Sequence, residues 1–135
     1  MLHAAVLSPL LALAGLVFLS ACTSTPAEPT GEAIYLRYCA SCHGTSGRGD
    51  GPVASSMTPR PYDLTTIAER SDGHFDERGV MAVIDGERWV SAHGSRAMPV
   101  WGAVFDAELE DSPFAMRVRL LRAQLLADYL RTIQR

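Results

Sequence analysis

The sequence contains no lysine. All 12 of its basic residues are arginines, scattered along the chain and outnumbered by 15 acids for a formal charge of -3. The clustered cationic footprint that a phosphate backbone requires is missing, so nucleic acid is not an expected partner. No run alternates with period two for long enough to argue a sheet. No Ser/His/Asp or paired-carboxylate arrangement is present to suggest an independent hydrolase. Cysteine is scarce, with three in 135 residues, and no second Cys pair is present to close a four-ligand zinc site. Charge is absent from Ala4 to Ala21, a run that inflates the hydrophobic content. The remainder has an ordinary soluble composition, which excludes both disorder and a protein built wholly in the membrane, and the length allows one domain.

The uncharged run ends in the small residues Ser20 and Ala21 just before Cys22, and it is interrupted by Pro9 and Gly15. It reads as an export signal over residues 1–21 rather than a membrane span. Leu19-Ser20-Ala21-Cys22 resembles the bacterial lipoprotein box, which implies cleavage before Cys22 and lipid on its sulfur. An n-region without Lys or Arg departs from that pattern, and an uncleaved helix or soluble secretion are the alternatives. Residues 22–30, with two prolines among small polar side chains, form a tether that cannot bury a core. The folding unit is then 31–135. The resemblance implies a protein exported to the periplasmic side and anchored to the membrane by lipid. Thr23, where retention in an inner membrane is associated with Asp, tilts the expectation toward an outer one.

With Cys22 assigned to lipid, the two remaining cysteines fall in Cys39-Ala-Ser-Cys42-His43. Positions i and i+3 share one face of a helical turn, so both sulfurs can form thioethers along one haem edge, with His43 next in line for the iron. A dithiol redox motif is the rival, but no strand–helix alternation surrounds the pair. The sequence from Gly31 to Ile133 resembles a class I cytochrome c of the bacterial single-haem type. The resemblance rests on Gly31 to Gly44 as first helix and haem-binding turn, Thr45 to Pro52 as the glycine-rich loop, Met98-Pro99-Val100-Trp101-Gly102 as the distal ligand loop, and Leu121 to Ile133 as closing helix. It implies one covalent haem c, with redox proteins or membrane respiratory complexes as partners. Trp101, Arg96 and Arg60 are implied as haem contacts, and Gly31, Tyr35 and Tyr129 as the crossing of the terminal helices.

Local patterns predict an all-α fold. Thr30 caps a first helix carrying Ile34, Tyr35 and Tyr38 inward. The glycines from Gly44 to Gly51, followed by Pro52, force a loop around the haem edge. Leu64 to Ala68 is expected as a short helix. Ser71 or Asp72 is expected to cap another, which carries Phe75, Val80, Val83 and Ile84 and stops at Gly86. Ser112-Pro113 opens a long last helix with Phe114, Val118, Leu121, Leu125, Tyr129 and Ile133 on its apolar face and Arg117, Arg119, Arg122 and Arg131 on its wet one.

The second iron position is assigned to Met98. Pro99 keeps it out of helix, and thioether with imidazole suits an iron that changes oxidation state without taking up substrate. Met57 lies closer to His43 in sequence and is expected on the near side, while Met81 and Met116 read as packing. His93 and His74 are the alternative ligands. Function is therefore expected to be single-electron transfer through a His/Met-ligated haem. A fixed haem subunit of a membrane dehydrogenase or oxidase uses the same chemistry, and a haem enzyme or gas sensor with a displaceable sixth ligand is the remaining alternative.

Overall fold

The computed structural model describes residues 29–88, 98–109 and 112–135. Cys22, His93 and Arg96, with the stretch expected as a signal and most of that expected as a tether, lie outside the described residues. Among those described there are five α-helices and no strand: α1 Gly31–Tyr38, α2 Ala40–His43, α3 Glu77–Asp85, α4 Trp101–Ala107 and α5 Ala115–Thr132. Three short 3₁₀ turns, Ala54–Ser56, Leu64–Thr66 and Glu69–Ser71, carry the chain between α2 and α3. The all-α expectation holds. No helix among the described residues is long and apolar enough to cross a membrane.

Thr30 caps α1 as expected, its hydroxyl accepting from Ala33 N at 3.1 Å. The helix buries Ile34 and Tyr35 against α5, which also packs on α3 and α4. α1 and α5 cross closely because Gly31 has no side chain: a Cβ there would lie 2.9 Å from Tyr129 Cβ and closer still to the Leu125 carbonyl. The Tyr35 and Tyr129 rings meet nearby, with centroids 5.1 Å apart. The predicted crossing of the terminal helices is therefore present.

Several expectations are corrected. α3 is capped by Asp76, whose Oδ1 accepts from Gly79 N at 2.9 Å, and neither Ser71 nor Asp72 serves. Asp72 and Gly73 have φ of 52° and 84°, left-handed values that no helix can include, so Phe75 precedes the helix it was expected to ride. Gly86, with φ of 85°, ends α3 as predicted. α5 starts at Ala115, after a turn in which Ser112 Oγ accepts from Phe114 N at 3.3 Å. Its buried face is Ala123, Leu126, Ala127 and Leu130, while Phe114 and Leu121 are exposed. Leu125, Tyr129 and Ile133 pack against the core as predicted, and the fully buried stripe lies beside them, where close approach of helices selects small side chains such as Ala123 and Ala127. Met116 is 66% exposed, so it is not packing. Arg119 and Arg122 are likewise drawn into ion pairs rather than a wet face. α4, a helix where only a ligand loop was expected, places Trp101 and buried Phe105 one turn apart against α1, with Tyr38 edge-on to both rings.

Candidate functional site

Backbone hydrogen bonds close tightly around α2. Cys39 caps this single turn, and Gly44 leaves it at φ 78°. The glycine loop then folds back along the turn: Gly49 N donates to His43 O at 2.8 Å, Gly51 N to Cys42 O at 3.1 Å and Val53 N to Ser41 O at 3.1 Å. Gly51 is glycine because a Cβ there would sit 2.7 Å from the Ala40 carbonyl and nearer still to that of Ser41. The Tyr35 hydroxyl, fully buried, donates to Gly44 O at 2.6 Å. Loop and turn thus fix each other.

His43 is 6% exposed, and its Nδ1 lies 3.0 Å from the Tyr62 carbonyl. A carbonyl only accepts, so the Nδ1 position carries the proton and the lone pair resides on Nε2. That tautomer is the one a metal-binding histidine uses, with its other nitrogen steered by a backbone acceptor. Arg70 braces the acceptor segment: its guanidinium donates to Asp63 O at 2.9 Å and to Thr66 Oγ1, and stacks 5.3 Å from the centre of the Tyr62 ring.

Two cavities meet at this turn. The larger, about 390 Å³, is lined by Cys39, His43, Met98 and Trp101 together with apolar side chains such as Leu64, Ile67, Val80, Val83 and Leu126. The smaller, about 30 Å³, is lined by Cys42, Met57, Arg60 and Pro99, and it shares Cys39, His43, Met98 and Trp101 with the first. A cavity of several hundred Å³ with apolar walls and few polar groups is of cofactor size. The two cavities together present a donor set that fits a haem: two thiols on one turn, an imidazole and a thioether, with Arg70, and Arg88 paired to Asp76, also lining the larger one. Neither Cys39 nor Cys42 is in a disulfide. Burial, and then the proximity of Cys42, pushes the Cys39 thiol up to about 12, so in the bare protein it stays protonated.

Of the residues expected from sequence, Cys39, Cys42, His43, Met98 and Trp101 come together here. Arg60 is exposed and lines only the smaller cavity, beside Cys42, rather than the main one. Met57 also lines the smaller cavity, next to Met98. His74 is exposed and lines neither. Arg70 and Arg88 escaped sequence reasoning because nothing in their local pattern separates them from solvated arginines.

A fold that is helical among the described residues and gathers a Cys-x-x-Cys-His turn and a methionine about two adjoining cavities defines a c-type cytochrome, an electron-transfer protein with covalently bound haem c. The chain belongs to the family described as cytochrome c oxidase, cbb3-type, subunit III, whose family model matches residues 26–111. α5 lies beyond the matched stretch. No curated protein and no solved structure matches the chain.

Proposed function

We propose that the chain carries single electrons through one haem c attached at Cys39 and Cys42 and held between His43 Nε2 and the Met98 sulfur. When bound, the haem supplies an iron that exchanges one electron between two oxidation states. The protein does the rest. The two cysteines anchor the group along one edge, and His43 offers Nε2 because Tyr62 O accepts from Nδ1. That hydrogen bond is the observation that carries the reading, since it selects the metal-binding tautomer of a buried ring. Met98 offers a neutral thioether, a ligand that raises the potential. The walls are mainly apolar, and Arg70 offers a charge to the haem carboxylates, whereas Arg88 is paired with Asp76 on the same cavity. With both axial positions filled from the chain, no place is left for substrate, and we assign no enzymatic reaction to the domain itself.

The family description favours one second reading, a fixed haem subunit of an oxidase complex. Ligation is the same in both, and redox proteins of a respiratory chain are the partners in either. We further propose that residues 1–21 are an export signal, that Cys22 is acylated on the periplasmic side of the membrane, and that residues 22–30 tether a domain spanning 31–135. Each acyl methylene buried is worth roughly 0.8 kcal/mol, so such an anchor is stable without a spanning helix. Tethering also raises the effective concentration of a weakly held redox partner.

One measurement addresses attachment and anchor together. Mass spectrometry of the protein purified from membranes after acid-acetone extraction is expected to show haem retained on the peptide containing Cys39 and Cys42, and an acylated Cys22 as the first residue. Extractable haem overturns the attachment. An N-terminus upstream of Cys22 overturns the anchor and leaves the attachment standing.

A further inference from the structure

Met98 stands three residues before α4, outside any helix, and α4 is only seven residues long with no side-chain cap at Val100. A helix this short has little stability of its own, so contacts decide where it sits. Two of those contacts run directly to the end of α3. A Cβ on Gly86 would strike the Val100 side chain, and one on Gly102 would lie 2.5 Å from Asp85 Oδ1 and 2.7 Å from the Asp85 carbonyl. The segment following Met98 therefore presses on a carboxylate whose side chain is 8% exposed. Asp85 is answered by Arg119 of α5, whose Nε lies 3.1 Å from Oδ1, within ion-pairing distance though out of line for a hydrogen bond. The same guanidinium donates through Nη1 to Asp106 Oδ2 of α4 at 2.8 Å. One arginine thus joins α3, α4 and α5.

We propose that Arg119 is the positioning residue for the sixth iron ligand, tying α4 to the end of α3 so that Met98 stays at the cavity wall. The inference rests on the assignment of Met98 as that ligand. Its physical content lies in what removal of the guanidinium does. A buried carboxylate without its partner is strongly unfavourable, and Asp85 regains water only if residues 100–102 draw back from it. That movement takes Met98 with it. The population with Met98 off the iron rises, and any added ligand that competes for the position binds more tightly by the same factor.

The test is imidazole binding to the oxidised haem-loaded protein, followed with the long-wavelength Met-to-iron charge-transfer band and helix content by circular dichroism. Arg119→Gln is expected to raise imidazole affinity about tenfold at unchanged helix content. Adding Asp85→Asn removes the stranded charge and is expected to return the affinity to within about threefold of wild type. Asp106→Asn, which leaves the buried pair intact and decides the matter if Arg119→Gln yields no holoprotein, is expected to raise the affinity about threefold. Arg131→Gln, an exposed arginine of the same helix paired with Glu77 and Asp128, leaves it unchanged. Met98→Ala separates the two claims. If it keeps the charge-transfer band, the ligand assignment fails and the positioning role with it. If it loses the band while Arg119→Gln and Asp106→Asn both bind imidazole as wild type does, the positioning role alone is wrong.

Discussion

The two sides of the cavity are built by different means. The wall that carries Cys39, Cys42 and His43 is closed by backbone hydrogen bonds between residues near in sequence, from Gly49 N to His43 O and from Gly51 N to Cys42 O among others. The wall that carries Met98 is held by side chains from distant elements: Arg119 reaching Asp85 and Asp106, and Tyr38 edge-on to Trp101 and Phe105. Backbone bonding over a short stretch leaves few alternative arrangements. Side-chain contacts across three helices can be released one at a time. The histidine side is therefore the rigid reference, and the methionine side is the one a mutation or a competing ligand moves first.

The largest effect on this contrast is expected from placing a methyl group on each wall. Gly51→Ala drives a Cβ into the carbonyls of Ala40 and Ser41, backbone that cannot give way, and is expected to cost roughly 3 kcal/mol and most of the holoprotein yield. Gly102→Ala meets the carboxylate of Asp85 as well as its carbonyl. There the expected loss is smaller, about 1–2 kcal/mol, with haem attachment retained and imidazole taken up more readily. Denaturant melts with spectra of the purified variants compare them. Equal losses of haem in the two would erase the distinction between the walls.

A smaller effect, confined to the rigid side, is expected of Tyr35→Phe. Removing the hydroxyl leaves the Gly44 carbonyl with Gly47 N alone, at 3.2 Å, as its donor and costs about 1 kcal/mol at neutral pH. Burial above all holds the Tyr35 hydroxyl well above the ordinary phenol range. The folded chain therefore keeps this proton more tightly than the unfolded one. That contribution is whole below the unfolded value of about 10 and is lost as pH rises above it. Unfolding curves across that range should show a steep alkaline loss in wild type and a flatter one in Tyr35→Phe; parallel slopes would mean another group titrates.

The same contrast explains what could be read from the sequence. Cys39 to His43, the glycines after it and the Thr30 cap are local patterns, and each appears in the structure where its spacing puts it. Gly86 ends α3 for the same reason. The other side was harder. α4 was overlooked although Trp101 and Phe105 stand four residues apart, because Pro99 drew attention to an extended ligand loop. On α5, Leu125, Tyr129 and Ile133 pack where their spacing puts them, but the fully buried positions include Ala123 and Ala127, whose small size matters only once a neighbouring helix is in place. Arg119 resembled its solvated neighbours on α5 since nothing in its own segment points to Asp85 or Asp106. Likewise Asp76 outcompeted Asp72 as a cap through a backbone conformation that composition does not reveal.

The central claim is that the chain itself fills both axial positions of the iron, which makes the domain an electron carrier. Titration of the reduced holoprotein with carbon monoxide tests it most directly, because that ligand requires a vacant or readily vacated position. The account predicts slow and weak uptake by wild type and rapid, stoichiometric uptake by Met98→Ala. Rapid stoichiometric binding by the wild-type protein would contradict it and make the domain a ligand-binding haem protein instead.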